Sequence, residues 1–355
     1  MTRFLFVGDV AFSRESKSPW LGQEVQEILQ SGLTIANVEC VLIDEPHEGD
    51  SLVLEASPET ASWLSDAGVA VASLANNHIM DRGVEGLEST RKLLEARGIE
   101  TMGAGLNEAQ ALAPLVLEHQ GLKLGLVGRM DPRSFEQTDC LALGDRPGAA
   151  VLDLEETLET GRRLRSDGCD FTVCAVHWGI QSVPFLPSWL IPQMDRLMEV
   201  FDVVAGSHAH ILQPINRRGG SVGLCGQGNF YFAPLQVGKT LHYDGRRLDR
   251  YSAIFQVDWS PDGAEVTVHP TRQELHGGPV RLLGGIAAGA VRRALTWAPA
   301  RSSLAFQVGW RLKDVGFLLK AIFLGLPKAI CAPRRYVRLE VISRLIRAVI
   351  RPTSR

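Results

Sequence analysis

The apolar run from Val69 to Ala75 stops abruptly at two amides, an imidazole and a carboxylate. The polar residues that follow it are Asn76, Asn77, His78 and Asp81. A short apolar run of this kind is typical of a buried parallel strand, and the segment after it has the spacing of a helix. In open α/β sheets, ligands bind beyond the carboxyl ends of the strands. The sequence therefore predicts a functional site at this strand end.

Four other predicted strands, from distant parts of the chain, also end in polar residues. They are followed by Asp9, by Asn37 and Glu39, by His177, and by the pair His208 and His210. If the last segment is extended, its two imidazoles lie on one face. Any one of these residues could serve as a turn, cap or core residue. Because five strand ends all carry such polar residues, a common site is favoured over five unrelated structural roles.

This set of side chains combines carboxylates, an amide and imidazoles without thiolates, which suits divalent Mn, Fe or Zn. Two ions sharing Glu39 or Asp9 could hold a bridging hydroxide, because bound metal lowers the pKa of water to about 7. We expect His78 to stabilise charge on a leaving or phosphoryl oxygen and Asp81 to orient it. Arg14, five residues beyond Asp9, is expected to face an anionic group.

The order of the predicted elements indicates an α/β fold. Helices are expected between most of the strands, and 355 residues suffice for one large domain with an appendage or for two domains. Four shorter segments with alternating hydrophobicity are expected to form antiparallel strands of a second sheet. These segments are residues 211–216, 221–224, 252–257 and 265–269. Asn229 follows a glycine-rich turn, and we interpret it as structural.

Composition is that of an ordinary globular protein, with 45% hydrophobic and 22% charged residues. A net charge of -3 gives no overall attraction to nucleic acid, so none is expected as a partner. The six cysteines form no C-x-x-C pair, which favours a reduced compartment. No hydrophobic leader precedes the first strand at residues 3–7, and no run of 18 apolar residues occurs. We therefore expect a cytoplasmic location.

The carboxyl-terminal part differs in composition, and we place a domain boundary between residues 275 and 276. Residues 301–355 contain many Arg and Lys residues, with only Asp314 and Glu340 against them. Residues 336–350 have the pattern of a basic amphipathic helix. Such a helix lies on an anionic membrane surface or docks on a protein. A helical extension that contacts the inner face of a membrane, the main domain or a second subunit is expected.

Between about residues 3 and 235 the chain resembles the CapA family, which comprises bacterial capsule or poly-γ-glutamate synthesis proteins with a calcineurin-like metallophosphatase fold. The motifs that carry the resemblance occur in the family's order. They are Val7-Gly8-Asp9-Val10, Asn37-Val38-Glu39, Leu74-Ala75-Asn76-Asn77-His78 with Asp81 and Gly83, His177-Trp178-Gly179, Gly206-Ser207-His208-Ala209-His210 with Gln213-Pro214, and Gly228-Asn229-Phe230.

The resemblance implies a sandwich of two β-sheets flanked by helices (αββα), with a two-metal site at the strand ends. It assigns Asp9, Glu39 and His210 to one divalent ion and Asn77, His177 and His208 to the other. Glu39 would bridge the two ions, and His78 would lie beside the leaving group. The implied activity is metallophosphoesterase-type hydrolysis in capsule, exopolysaccharide or poly-γ-glutamate biosynthesis, with the polymer synthesis machinery as partner.

A non-catalytic role is the alternative. Metallophosphatases usually begin with Asp-x-His, whereas here Ala11 follows Asp9 and Val10. A chain that lacks this imidazole could keep the fold and serve as an assembly protein of a cell-surface polymer synthesis complex. In that case the basic tail would recruit a synthase.

Overall fold

The computed structural model describes residues 1–48, 52–134, 139–237, 240–243 and 248–296. The strands in this part of the chain are β1 (Thr2–Ala11), β2 (Leu33–Val38), β3 (Val41–Leu42), β4 (Glu55–Ala56), β5 (Val69–Ser73), β6 (Glu100–Met102), β7 (Ala104–Gly105), β8 (Leu115–His119), β9 (Leu122–Met130), β10 (Gly148–Ala149), β11 (Phe171–His177), β12 (Val203–Ser207), β13 (Ile215–Arg218), β14 (Ser221–Leu224), β15 (Asn229–Phe232), β16 (Leu235–Val237), β17 (Thr240–Tyr243), β18 (Tyr251–Ser260), β19 (Gly263–Gln273) and β20 (Val280–Leu282). The α-helices are α1 (Gln23–Leu29), α2 (Thr60–Asp66), α3 (Gly83–Glu95), α4 (Glu108–Leu112), α5 (Leu154–Ser166), α6 (Ile191–Leu197) and α7 (Gly285–Thr296).

Helix α5 illustrates how local sequence sets an element. The side chain of Asp153 caps its amino end by accepting a hydrogen bond from Glu156 N at 2.9 Å. Arg163 and Arg165 lie in its last turn, where positive charge complements the helix dipole. Its apolar face, which includes the buried Leu158, packs toward the sheet beneath it. Helix α5 is therefore one of the helices expected between strands.

The first sheet has the strand order β20-β19-β18-β1-β2-β5-β6, and β15 also pairs with β1. Strands β1, β2, β5 and β6 run parallel, as their continuous apolar runs predict. Strands β18, β19 and β20 are added antiparallel. Since β1, β2 and β5 point the same way, their carboxyl ends meet at one edge of this sheet.

The second sheet has the order β13-β14-β12-β11-β9-β8. Strands β9, β11, β12 and β14 are parallel, and β8 and β13 are antiparallel strands at its two edges. His177 at the end of β11 lies opposite Ser207 of β12 and Met130 of β9. The carboxyl ends of these three strands therefore also lie side by side.

Apolar side chains from both sheets fill the space between them. Phe4 of β1 stacks on Phe171 of β11 with ring centroids 4.0 Å apart, and Trp259 of β18 meets the same ring at 5.5 Å. Separate apolar clusters lie under α1, α2 and α3 on the first sheet and under α5 and α6 on the second. The layers are helix, sheet, sheet and helix. The predicted αββα sandwich is confirmed.

The four alternating segments, predicted as antiparallel strands of a second sheet, form two antiparallel pairs that are divided between the two sheets. Residues 215–218 and 221–224 belong to the second sheet, where β14 runs parallel to β12. Residues 251–260 and 263–273 form a hairpin on the first sheet, where β18 pairs with β1. Alternating hydrophobicity identifies a strand, but its neighbour is chosen by packing between distant parts of the chain.

The predicted domain boundary at 275/276 falls inside the first sheet. Strand β20 pairs with β19, and its residue Val280 is fully buried. Helix α7 packs next to β19 and buries Ala288 and Leu295. Residues 280–296 therefore pack on the first sheet. The predicted amphipathic helix at residues 336–350 lies outside the described residues.

Candidate metal centre

Polar side chains gather where the strand ends of the two sheets meet. The backbone N–H of His208, which follows β12, donates to Asp9 Oδ2 at 3.2 Å, so the second sheet contacts the first at this point. Asn77 Oδ1 lies 2.9 Å from His177 Nε2 and makes a second link between the sheets. The structure thus brings together every residue predicted as a metal ligand. These residues are Asp9, Glu39, Asn77, His177, His208 and His210.

The potential ligand atoms form two groups that share one carboxylate. Asp9, Glu39 and His210 form the first group, and Glu39, His177 and His208 form the second. Within each group the ligand atoms all lie within 4.8 Å of one another. Asn77 extends the second group through its contact with His177. A carboxylate shared between two groups is the arrangement expected of a bridging ligand.

Burial and mutual charge perturb the ionisation of these groups. Burial and the neighbouring charge of Glu39 raise the pKa of Asp9 above its ordinary value. Burial alone would raise the pKa of Glu39, but the imidazoles of His177 and His210 lower it. Burial lowers the pKa of His210, yet Glu39, Asp9 and the hydrogen bond to Asn229 outweigh it and raise that pKa to about 9. Burial and the other imidazoles lower the pKa of His208 well below its ordinary value.

These residues suit a divalent cation. Glu39 Oε1 is fully buried and accepts no hydrogen bond from the described residues, with His177 Nε2 3.4 Å away. A buried carboxylate oxygen without a hydrogen bond is costly unless a cation or donor satisfies it. Carboxylate, amide and imidazole donors without thiolates suit Mn, Fe or Zn. The residues present therefore fit a divalent ion by their donor chemistry.

The His-x-His pair is not extended where it reaches the site. His208 and His210 have φ values of 85° and 57°, in the left-handed region. Their ring centroids lie 5.8 Å apart. A non-glycine residue in this region is strained, and such residues cluster at functional sites. A bend with two positive φ angles, and not a strand, presents the two imidazoles.

Neighbouring polar groups hold the ligand side chains in place. Asn37 Nδ2 donates to Asp9 Oδ1 at 2.8 Å, as expected for a residue that supports a ligand. Ser207 Oγ lies 3.0 Å from His177 Nδ1, and Asn229 Oδ1 lies 2.8 Å from His210 Nδ1. Sequence reasoning missed these last two contacts. Asn229 is at the site, although its glycine-rich turn indicated only a structural role.

The polar cluster that follows β5 contains an imidazole–carboxylate pair and a buried amide. His78 Nδ1 donates to Asp81 Oδ2 at 2.8 Å, and both side chains are 15% exposed at the rim of the site. Burial lowers the pKa of His78, but the hydrogen bond and charge of Asp81 raise it above its ordinary value. Asn76 is fully buried and structural, since its Nδ2 donates to Val38 O at 2.8 Å.

Arg14 is not brought into this cluster. Its Nε donates to Glu55 Oε1 at 2.7 Å, and its other nitrogens donate to the carbonyl oxygens of Ile43 and Asp44 at 2.8 Å. The anionic group that Arg14 faces is therefore a carboxylate of the protein itself. These bonds tie the chain just after β1 to Ile43, Asp44 and Glu55.

Fold and site together define a class of protein: an αββα sandwich with buried carboxylate, amide and imidazole groups where the strand ends of its two sheets meet. The sequence profile described as "Bacterial capsule synthesis protein PGA_cap" matches residues 3–234. The chain belongs to this family. Among the helices that the structure describes, none is both long and apolar enough to cross a membrane.

Two curated relatives have names that refer to the same biology. The chain is 23% identical over 269 residues to "Capsule biosynthesis protein CapA" of Bacillus anthracis, covering 74% of this chain and 60% of that protein. It is 28% identical over 182 residues to "PGA biosynthesis protein CapA" of Bacillus subtilis (strain 168), covering 50% of this chain and 47% of that protein. The chain thus spans less than two thirds of each relative.

A solved structure with a similar shape is the putative 5′-nucleotidase from Staphylococcus aureus in complex with α-ketoglutarate. It aligns with a TM-score of 0.47 and 11% identity, covering 83% of this chain and 58% of that one. A similarity of this size carries no conclusion about activity.

Proposed function

We propose that this chain is a divalent-metal-dependent hydrolase of the metallophosphoesterase type. The observation that carries the proposal is Glu39, a fully buried carboxylate that belongs to both groups of potential ligands. The proposed ligands are Asp9, Glu39 and His210 for one ion and Asn77, His177 and His208 for the other, with Glu39 shared.

Two divalent ions, when bound, supply a water nucleophile with a pKa of about 7 and polarise a phosphoryl or carbonyl oxygen. The chain's own residues would then orient the substrate and donate protons to it. His78 sits at the exposed rim with its Nδ1 tied to Asp81. This bond fixes the ring and leaves Nε2 to donate to the phosphoryl or leaving oxygen of a substrate. Asn76 fixes the turn, because its Oδ1 accepts from the backbone N–H of His78 at 3.1 Å.

We assign the activity to the synthesis of a cell-surface polymer, namely capsule, exopolysaccharide or poly-γ-glutamate. Membership in the capsule synthesis family and the names of the two relatives support this assignment. The partner would be the polymer synthesis machinery. The bond cleaved would be a phosphoester or a peptide-like amide, since both carry an oxygen that a divalent ion can polarise.

Metal analysis of the purified protein, followed by assays against phosphomonoesters, phosphodiesters and γ-linked amides, tests the proposal. Asp9→Ala and His208→Ala should reduce both metal content and hydrolysis, the latter by more than about 100-fold, because supporting residues alone cost up to that factor. Asn216→Ala is a matched control, since Asn216 is 1% exposed and bonds to Asp195 away from the site. A wild-type protein that binds no metal would contradict the proposal.

A non-catalytic assembly role is the second candidate, and Ala11 favours it. Ala11 ends β1 beside Asp9, and its methyl group offers no ligand. A complementation experiment separates the two functions. If Asp9→Ala restores polymer production in a deletion strain while a chain ending at residue 296 does not, the assembly role is correct. The opposite pattern supports hydrolysis.

We further propose that the chain works at the cytoplasmic face of the membrane and contacts it, or a second copy, through residues 336–350. The basic amphipathic sequence pattern of this segment supports the proposal. Sedimentation with anionic vesicles and light scattering, each for the full chain and for residues 1–296, distinguish the two contacts. Equal behaviour of both chains in both measurements would exclude this role of the segment.

A further inference from the structure

We propose that Asn229 is a metal ligand whose side-chain oxygen completes the ion site formed by Asp9, Glu39 and His210. The inference rests on the metal centre of the proposed function, but it does not depend on hydrolysis. Asn229 is 1% exposed, and its amide oxygen lies 2.8 Å from His210 Nδ1. Neither the family motif nor the spacing of strand ends assigns it this role.

The two groups of potential ligands, here called the two halves of the centre, have similar geometry. In each half the distances are measured from one imidazole nitrogen. In the second group, His177 Nε2 lies 2.9 Å from Asn77 Oδ1 and 3.4 Å from Glu39 Oε1. In the first group, His210 Nδ1 lies 2.8 Å from Asn229 Oδ1 and 3.3 Å from Asp9 Oδ2. Each half therefore has one imidazole, one amide oxygen and one carboxylate oxygen at nearly equal spacings. Asn229 occupies the place in the first half that Asn77 occupies in the second.

These spacings are those of atoms that share a small divalent ion. Ligands about 2.1 Å from a six-coordinate ion lie about 3.0 Å from their neighbours. Around a four-coordinate ion at the same distance the spacing is about 3.4 Å. The two distances measured from His210 Nδ1, 2.8 and 3.3 Å, fall close to these values. His210 Nδ1 is thus spaced from each of the two oxygens as the ligands of one ion are spaced.

Backbone pairing, and not chance rotation of a side chain, puts Asn229 at this place. Strand β15 runs parallel to β1 with Asn229 opposite Asp9, and Asp9 N donates to Gly228 O at 3.0 Å. Phe230 and Tyr231, next in β15, are fully buried in the apolar core. Because Ala11 offers no ligand from β1, the first group has three protein ligands until Asn229 supplies the fourth.

Binding of Mn²⁺ measured by calorimetry tests the assignment. Asn229→Leu, which keeps the size of the side chain and removes its oxygen, should weaken Mn²⁺ binding at one of two sites by about tenfold or more. Asn229→Asp keeps an oxygen there and should retain both sites. Asn216→Leu is the matched control at a buried asparagine outside the centre and should bind both ions as the wild type does.

A crystal structure of the wild-type protein grown with Mn²⁺ separates a ligand from a residue that only orients His210. An anomalous peak within about 2.5 Å of Asn229 Oδ1 supports the inference, because metal–oxygen bonds have this length. A peak more than about 3.5 Å away overturns it, as does full binding by Asn229→Leu. This measurement decides the matter even if Asn229→Leu fails to fold.

The outcomes keep the two proposals apart. If the protein binds Mn²⁺ in an Asn229-dependent way and hydrolyses no substrate, this inference stands and the hydrolase proposal fails. If Asn229→Leu binds both ions normally and the wild type hydrolyses a substrate, only this inference fails. A wild-type protein that binds no Mn²⁺ overturns both.

Discussion

His78 Nδ1 donates a hydrogen bond of 2.8 Å to Asp81 Oδ2, and the same carboxylate oxygen accepts the backbone N–H of Leu54 at 2.7 Å. Asp81 therefore ties the imidazole of His78 to the backbone of Leu54. The pair is separate from the potential metal ligands, because neither residue belongs to the two ligand groups. The contribution of this pair to hydrolysis can consequently be tested independently of metal binding.

Substitutions in this pair should reduce hydrolysis without releasing metal. We expect His78→Ala to lower kcat about 100-fold or more, the usual contribution of a positioned acid or base. Asp81→Asn should lower it less, about tenfold, because the imidazole remains but loses its charged partner. Steady-state kinetics and metal content measured on the same preparations check this. Loss of metal from His78→Ala would instead assign this residue to the ligand set.

Removal of the shared carboxylate should abolish stabilisation by metal. A ligand that binds only the folded state at 100 times its Kd adds about 2.7 kcal/mol to the free energy of unfolding. We expect Mn²⁺ to stabilise the wild type by an amount of this order and EDTA to reverse it. Glu39→Ala should show almost no Mn²⁺ effect, whereas His210→Ala, which belongs to one group only, should keep part of it. Urea unfolding with and without Mn²⁺ measures both. Equal effects in the two variants would contradict a bridging role for Glu39.

Much of the site could be predicted because apolar runs mark buried strands, and the carboxyl ends of parallel strands converge. Asp9, Glu39 and His177 each follow such a run directly or within two residues. Asn229 could not be found in this way, because it begins β15 and does not end a strand. Its place depends on the pairing of β15 with β1, a contact across more than 200 residues that no local pattern encodes.

Two further features depended on contacts between distant residues. Arg14 is neutralised by Glu55, which lies 41 residues later, so its charge was visible in the sequence but its partner was not. The hydrophobic alternation in β14 and β18 indicated strands, yet their assignment to different sheets follows from packing against β12 and β1. The local sequence pattern therefore predicts secondary-structure elements and where strands end. Which strands are neighbours and which charged side chains pair can be seen only in the folded structure.

Acid should remove a contribution of Glu55 to stability. Burial alone raises the pKa of Glu55, but hydrogen bonds from His47 N, Arg14 and Arg82 lower it below its ordinary value of 4.5. Because the folded pKa is depressed, the ionised carboxylate stabilises the fold above pH 4.5, and this contribution disappears as the pH falls through the folded pKa. Glu55→Gln should therefore cost about 1 kcal/mol at pH 7 and progressively less below pH 4.5.

Urea unfolding of wild type and Glu55→Gln between pH 7 and pH 3 measures this difference. Glu159→Gln is the control, because Glu159 is 62% exposed and pairs with the exposed Arg162 at 3.6 Å. It should change the unfolding free energy by less than about 0.5 kcal/mol. A constant cost of Glu55→Gln across this pH range would show that shape, and not charge, matters at this position.

The close approach of β1 to the turn before β15 leaves no room for a side chain at Gly8. A Cβ atom there would lie 1.9 Å from Gly228 O. We expect Gly8→Ala to destabilise the protein by about 3 kcal/mol, near the upper end for overpacking. It should also weaken Mn²⁺ binding, because Asp9 and Asn229 lie directly beside this contact. Gly220→Ala, where a Cβ would meet no atom within 4 Å, should change neither property. Thermal unfolding and calorimetry provide the comparison.

The position of the domain boundary predicts which shortened chains fold. A chain ending at residue 275 lacks β20, whose Val280 N donates to Trp20 O at 2.9 Å, and lacks α7 with the buried Leu295. It exposes the edge of β19 and the apolar surface beneath α7, so we expect it to aggregate or to unfold at a lower temperature. A chain ending at residue 296 retains both elements and should unfold cooperatively with the same Mn²⁺ stabilisation as the full protein. Circular dichroism and gel filtration of the two chains test this, and a stable, monodisperse 1–275 chain would support the boundary predicted from composition.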